Sequence, residues 1–169
     1  GRVLQVGSQT TSGDQWAQAR RVIGEGMLGN MLLSQGSYHR NSIEGEWNYT
    51  IEPEAGPDGK GENYLDWKMW LGNATKRSYD ADRFFRFRKY WDYSGGISTE
   101  LFVHLMTTIH SVMGATVPES VVATGANYRH QKTHEVPDTI NASVVYGKES
   151  FSVSLGGTCV PLCASSATD

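Results

Sequence analysis

Apolar positions along the chain recur in two rhythms, one helical and one strand-like. Trp16, Ala19 and Ile23 fall three and four residues apart. Ser12 with Gln15 makes a capping-box pattern ahead of them and Gly24 suits a stop, so a helix is predicted over about 12–24. A stronger helical signal begins at Glu100. At about 100° per residue, Leu101, Phe102, Leu105, Met106, Ile109, Val112 and Met113 gather into one arc, and Glu100, His104, Thr107, Thr108 and Ser111 gather opposite, up to a stop at Gly114. His110 falls well away from His104 on the same wheel.

The strand-like rhythm predicts strands at Met31–Tyr38, Ser120–Tyr128, Thr139–Tyr146 and Phe151–Leu155, with a weak opening strand at Val3–Gly7. Ile140, Ala142 and Val144 alternate as in a half-buried strand, and Gly147-Lys148-Glu149-Ser150 reads as the hairpin turn after it. Residues from about 42 to 82 carry Gly, Pro, Glu and Trp without periodicity, and so long an irregular stretch predicts a functional arm or lid. The layout is α+β, a sheet with helices on one face.

Length and charge narrow the function classes. With 169 residues the chain can bury a real core without staples, and a formal net charge of −3 argues against an electrostatic nucleic-acid binder. The basic and aromatic run Arg83–Tyr93 is therefore read as partly buried chain whose Arg and Lys stems reach outward, not as a base-stacking platform. Apolar runs are a few residues long, so no membrane span is expected. Gly24-Glu25-Gly26-Met27-Leu28-Gly29 matches a dinucleotide fingerprint in the wrong context, after a predicted helix and before a predicted strand, and is read as a helix stop and turn. Cys159 and Cys163 are read as free thiols in a tail, and no metal site is expected.

Glu100 and His104, four residues apart after Gly95-Gly96, project from one helical face. A carboxylate beside an imidazole suits general acid/base chemistry, and the same spacing also fits a solvated polar stripe. Periodicity alone leaves both open.

Six stretches in order, Gly7-Ser8-Gln9, Gly26-Met27-Leu28-Gly29, Tyr38-His39-Arg40-Asn41, Asp66-Trp67-Lys68-Met69-Trp70-Leu71-Gly72, Trp91-Asp92-Tyr93-Ser94-Gly95-Gly96 and Val136-Pro137-Asp138-Thr139, resemble the C-terminal domain of the Gfo/Idh/MocA family of nicotinamide-dependent oxidoreductases. The resemblance implies an open, predominantly antiparallel but mixed sheet with helices on one face, the dihydrodipicolinate-reductase-like domain, over residues 1–157; relatives continue with further sheet, whereas 158–169 is read here as a disordered tail. It implies that the family's Rossmann domain, which holds NAD or NADP, lies outside this chain, so that this piece alone binds no cofactor and does not turn over.

In the family a Gly-Gly turn is followed by an Asp and, four residues on, a catalytic His. Glu100 and His104 occupy those places, Glu100 with one extra methylene. Two further departures are Thr10 and Thr11 where many relatives carry Arg, and the absence of the Glu-Lys-Pro motif, which belongs to the Rossmann domain.

The expected activity is hydride transfer between a sugar or polyol carbon and NAD(P). His104 is the expected acid/base, Glu100 orients it or shares its proton, and Arg40, Asn41, Trp70 and Tyr93 contact the substrate. Alternatives are a redox-assisted glycosidase or lyase of the same family and a non-catalytic oligomerisation or carbohydrate-binding module. A homo-oligomer through an apolar open sheet face is expected, and cytoplasmic and exported locations both stay open.

Overall fold

The computed structural model describes residues 1–4, 7–40, 45–115 and 117–160. In chain order the elements are α1 (Asp14–Gly24), β1 (Leu33–Arg40), α2 (Trp67–Leu71), α3 (Ala81–Phe85), α4 (Ile97–Glu100), α5 (Phe102–Met113), β2 (Ser120–Ala126), β3 (Thr139–Tyr146) and β4 (Phe151–Cys159). The strands form one mixed sheet in the order β1-β4-β3-β2, with β1 parallel to β4 and the other pairs antiparallel.

The two helical rhythms and the β3–β4 hairpin form where the pattern places them. α1 starts later than the capping box implies: its N-cap is Gly13, with no side-chain cap bond, and Ser12 lies outside the helix. The second helix starts earlier, at Ile97, and is divided at Leu101 into α4 and α5. Gly114 closes α5 with a left-handed φ of 76°. Gly96, at φ 63°, allows the chain to turn into α4 against Val136, whose Cγ2 a Cβ there would meet at 2.8 Å. The opening strand does not form: Val3, Leu4 and Gly7 are unpaired by the sheet, and Gln5 and Val6 lie outside the described residues. A strand needs a neighbour for its backbone groups, and the described sheet has none to offer there.

One face of the sheet and the apolar arc of α4–α5 make the core. Ile97, Leu101, Phe102 and Ile109 pack on Val144, Tyr146, Phe151, Val153 and Leu155. β4 alternates buried and half-buried positions to its last residue, so it runs four residues past the predicted Leu155. Thr158 and Cys159 therefore belong to the sheet rather than to a tail, and Cys159 is only 1% exposed. Burial pushes its thiol pKa up to about 12. Cys163 lies outside the described residues.

The opposite face is open but mostly not apolar. The register places Gln35, Ser37, Asn141, Ser143, Ser154 and Gly156 there, with Leu33, Val122 and Val145 as its larger apolar members.

The arm is folded rather than irregular throughout. A 3-10 turn (Gly61–Asn63) and α2 form within it, Asp66 capping α2 by accepting from the Met69 backbone N–H at 2.8 Å. Trp67 stacks on Trp70 at 4.9 Å between ring centroids, and its indole N–H donates to the Arg77 carbonyl at 2.8 Å. The basic and aromatic run becomes α3 and a second 3-10 turn (Phe87–Lys89), with its cations paired. Arg83 meets Asp92 at 2.6 Å and Glu135 at 2.9 Å, and Arg86 meets Asp82 at 2.9 Å. Lys89, almost fully buried, reaches Asp82 at 2.9 Å. Tyr90 donates to the same carboxylate. These partners outweigh the burial that would raise the Asp82 pKa and hold it below its usual range.

Candidate active site

The break at Leu101 sends the two candidate catalytic side chains to different partners. Glu100, at the end of α4, accepts from Arg88 Nε at 2.9 Å and from the Ser94 hydroxyl at 3.1 Å. Ser94 in turn accepts from the Gly96 backbone N–H at 3.0 Å, which ties the carboxylate to the Gly-Gly turn. His104, in the first turn of α5, is half-buried, with Nδ1 3.2 Å from the Ser8 hydroxyl, 96 residues away in the chain. The described hydrogen bonds do not join Glu100 to His104.

Around this pair the predicted substrate contacts fall into two groups. Tyr38, on the helix-facing side of β1, meets His104 edge-on at 6.5 Å and has the Arg40 guanidinium 5.8 Å from its ring centroid. Arg40 thus shares the Tyr38 ring with His104, and it also pairs with Glu46 at 3.3 Å. Trp70 and Tyr93 form the second group, with ring centroids 4.7 Å apart, and Trp70 also packs on Phe84 at 5.4 Å. Tyr93 adjoins Ser94 in the chain, which links this aromatic group to Glu100, and its hydroxyl is buried without a partner among the described residues. Asn41 lies outside the described residues.

Two neighbours of His104 escape a reading based on spacing. Ser8 and Tyr38 come from segments far from α5, although both stand in stretches that resemble the family. His39 alternates to the open face, where its Nδ1 is 3.0 Å from the Thr158 hydroxyl.

A cavity of about 260 Å³ lies between α1, β1 and α5, and His104, Tyr38 and Trp16 are among the residues that line it. Trp16 is thus a wall of this space rather than a closed core position. His110, further along α5, bonds to the Tyr146 hydroxyl, and burial lowers its pKa. Among the described residues, no three His, Cys, Asp or Glu side chains cluster in a way that could hold a metal ion.

Residues 13–148 match a family model, the oxidoreductase family C-terminal alpha/beta domain of the Gfo/Idh/MocA group. The chain belongs to the Gfo/Idh/MocA family. Solved structures share this domain's fold. Aldose-aldose oxidoreductase from Caulobacter crescentus, complexed with glycerol, aligns with a TM-score of 0.61 at 13% identity over 95% of this chain and 36% of its own. The WlbA dehydrogenase from Bordetella pertussis, in complex with NADH and UDP-GlcNAcA, aligns with a TM-score of 0.56 at 14% identity over 92% of this chain and 35% of its own. The WlbA protein from Chromobacterium violaceum, with the same two ligands, gives 0.57 at 16% identity over 93% and 34%. The chain thus spans about a third of the length of these proteins. No curated protein matches it in sequence.

Within this Gfo/Idh/MocA domain the G-x-G-x-x-G stretch forms the turn after α1, with Gly26 at φ 72° and Gly29 at φ 69°, and leads into β1. A dinucleotide pyrophosphate needs those glycines at the start of a helix, where free N–H groups point at it. These residues therefore do not fit a nicotinamide dinucleotide. No helix among the described residues is long and apolar enough to cross a membrane.

Proposed function

We infer that this chain is the substrate-binding part of an oxidoreductase that moves a hydride between a sugar or polyol carbon and NAD(P), with the sheet through Cys159 belonging to its C-terminal domain. The observation that carries the reading is the placement of His104, half-buried beside a cavity with Nδ1 held by Ser8. An imidazole used as acid/base needs one nitrogen fixed and the other free. With Nδ1–H donating to the Ser8 hydroxyl oxygen, the Nε2 lone pair is the free one. His104 Nε2 then takes the proton of the reacting hydroxyl in oxidation and returns it in reduction. The cofactor is held by a Rossmann domain elsewhere in the full-length protein.

Glu100 has a different part from the one its spacing suggests. Fixed by Arg88 and Ser94, it acts as a positioned acceptor for a neighbouring substrate hydroxyl rather than as a direct relay to His104. Arg40, Asn41, Trp70 and Tyr93 supply polar and ring contacts, a mixture suited to carbohydrate hydroxyls and ring faces. The open sheet face serves self-association of the full-length protein, and light scattering that finds only monomer would remove that part of the reading.

The test is turnover of the full-length protein with NAD or NADP over a panel of sugars and polyols. Reduced cofactor is expected, and His104→Ala is expected to lower the rate by ~10²-fold or more. Release of an aglycone with no net reduced cofactor would select the glycosidase or lyase chemistry instead. An unchanged rate together with weaker subunit association would select a non-catalytic module.

A further inference from the structure

Protein interiors pack as closely as organic crystals, with few voids larger than a water molecule. The space between α1, β1 and α5 is not such an interior void but a cleft partly open to solvent. It measures about 260 Å³, and Ile23, Met31, Leu105, Ile109 and Met113 are the apolar part of a wall that also carries Ser34, Gln35 and Thr108. Although Trp16 and Ile23 of α1 both line it, α1 buries none of its own residues. The helix packs against α5 and leaves this space beside the contact.

A second observation points to a guest with a hydrogen-bond acceptor. The Trp16 indole nitrogen is buried and has no partner among the described residues. Buried donors in folded proteins are almost always paired. Apolar cavities of about 150 Å³ hold benzene, so this one has room for a phenyl-sized or slightly larger group. A bare polyol would leave its walls unmatched.

We propose that this cavity receives an apolar substituent, aromatic or short-chain aliphatic, carried by the hydroxylated substrate whose reacting carbon lies at His104. This deepens the oxidoreductase reading and rests on it. An ether or carbonyl oxygen at the root of the substituent accepts the Trp16 N–H, while the apolar part fills the space between α1 and α5.

The test uses the full-length protein labelled at its methionine methyl groups, with benzyl alcohol as the probe. Met31 and Met113 line the cavity, whereas Met27 and Met69 of the same domain are exposed. Saturable shifts of the Met31 and Met113 signals are expected, with Met27 and Met69 unmoved. Val112→Phe, which fills the cavity, is expected to weaken binding at least tenfold. Trp16→Phe, which keeps an aromatic ring of smaller size and removes the N–H, is expected to weaken an oxygen-bearing probe several-fold. No saturable shift, or equal shifts at all four methionines, would overturn the proposal, including the case in which another stretch of the chain already fills the space.

Turnover separates this inference from the reading beneath it. A benzyl glycoside of an oxidised sugar is expected to exceed the methyl glycoside at least tenfold in kcat/KM, and Val112→Phe is expected to erase the difference. Equal values, with turnover that depends on His104, would overturn the cavity's role alone. Benzyl alcohol binding without any cofactor-dependent oxidation would overturn the reaction reading.

Discussion

Ser8 and His104 are 96 residues apart in the chain, and a 3.2 Å contact between the Ser8 hydroxyl and His104 Nδ1 joins them. The bond ties the loop before α1 to the first turn of α5 and leaves one imidazole nitrogen free. Removing a single neutral hydrogen bond costs about 1 kcal/mol, or roughly fivefold. Ser8→Ala is expected to lower kcat by about that factor and to shift the pH–rate profile, while Ser8→Thr retains both. The pH profile of the full-length protein is the measurement to make, since a purely structural role would leave it unmoved.

Glu100 leans on Arg88 and Ser94 rather than on His104. Arg88→Ala therefore frees one carboxylate oxygen without touching the imidazole. Turnover is expected to fall through a higher KM with kcat nearly kept, and Arg88→Lys is expected to restore only part of it, because Lys has no donor at the place of Arg88 Nε. An unchanged KM would show that Glu100 does not meet the substrate.

His134 is a buried neutral imidazole. Its Nε2–H donates to the Glu46 carbonyl at 3.1 Å, and the Thr133 hydroxyl donates to its Nδ1 at 2.9 Å. Burial, helped by His130 and Lys89 and opposed by the Glu46 carbonyl and Asp138, holds its pKa down at about 4. The unfolded chain takes up this proton near pH 6.5 and the folded one only near 4, so stability is full above that window and falls as the pH drops through it. Thermal melts are expected to lose up to about 3 kcal/mol from this group between about pH 6.5 and 4. A His134→Gln variant is expected to show a shallower slope over the same range.

Cys159 closes β4 with its thiol almost fully buried and its pKa pushed up to about 12. The thiolate is the reactive form, so native protein at pH 8 is expected to resist alkylation at this position and to react only on unfolding. Peptide mass spectrometry after iodoacetamide treatment, with and without denaturant, reads this directly. Labelling of Cys159 in the native protein would contradict the burial.

Gly157 lies where α4 and α5 approach the sheet. A Cβ there would come within 2.5 Å of Ile97 Cγ2 and 3.0 Å of Phe102 Cε1, both in the core. Gly157→Ala is expected to destabilise the domain by about 1–3 kcal/mol, the usual cost of overpacking. Gly24→Ala at the exposed end of α1, where a Cβ meets nothing within 4 Å, is the control expected to lose nothing. Denaturant unfolding compares the two.

What the sequence determined by itself is local. The apolar arc of α5, its stop at Gly114, the alternation of β3 and its hairpin into β4 all follow from contacts between residues two to four apart, which periodicity records. The position of His104 near the start of that helix was legible in the same way, as was the turn made by Gly26 and Gly29, whereas Glu100 ends the separate helix α4.

Only the tertiary structure decided who stands beside whom. It runs β1 parallel to β4, opposing Leu33 to Ser152. It brings Ser8 and Tyr38 to His104, sends Glu100 to Arg88, and gathers Trp67 and Trp70, from a stretch that looked irregular, with Tyr93 of the basic and aromatic run. It also places Cys159 in the sheet rather than in a tail. These meetings require long segments of chain to close on one another. No period along the sequence encodes such closures, because their free energy comes from burying distant surfaces together.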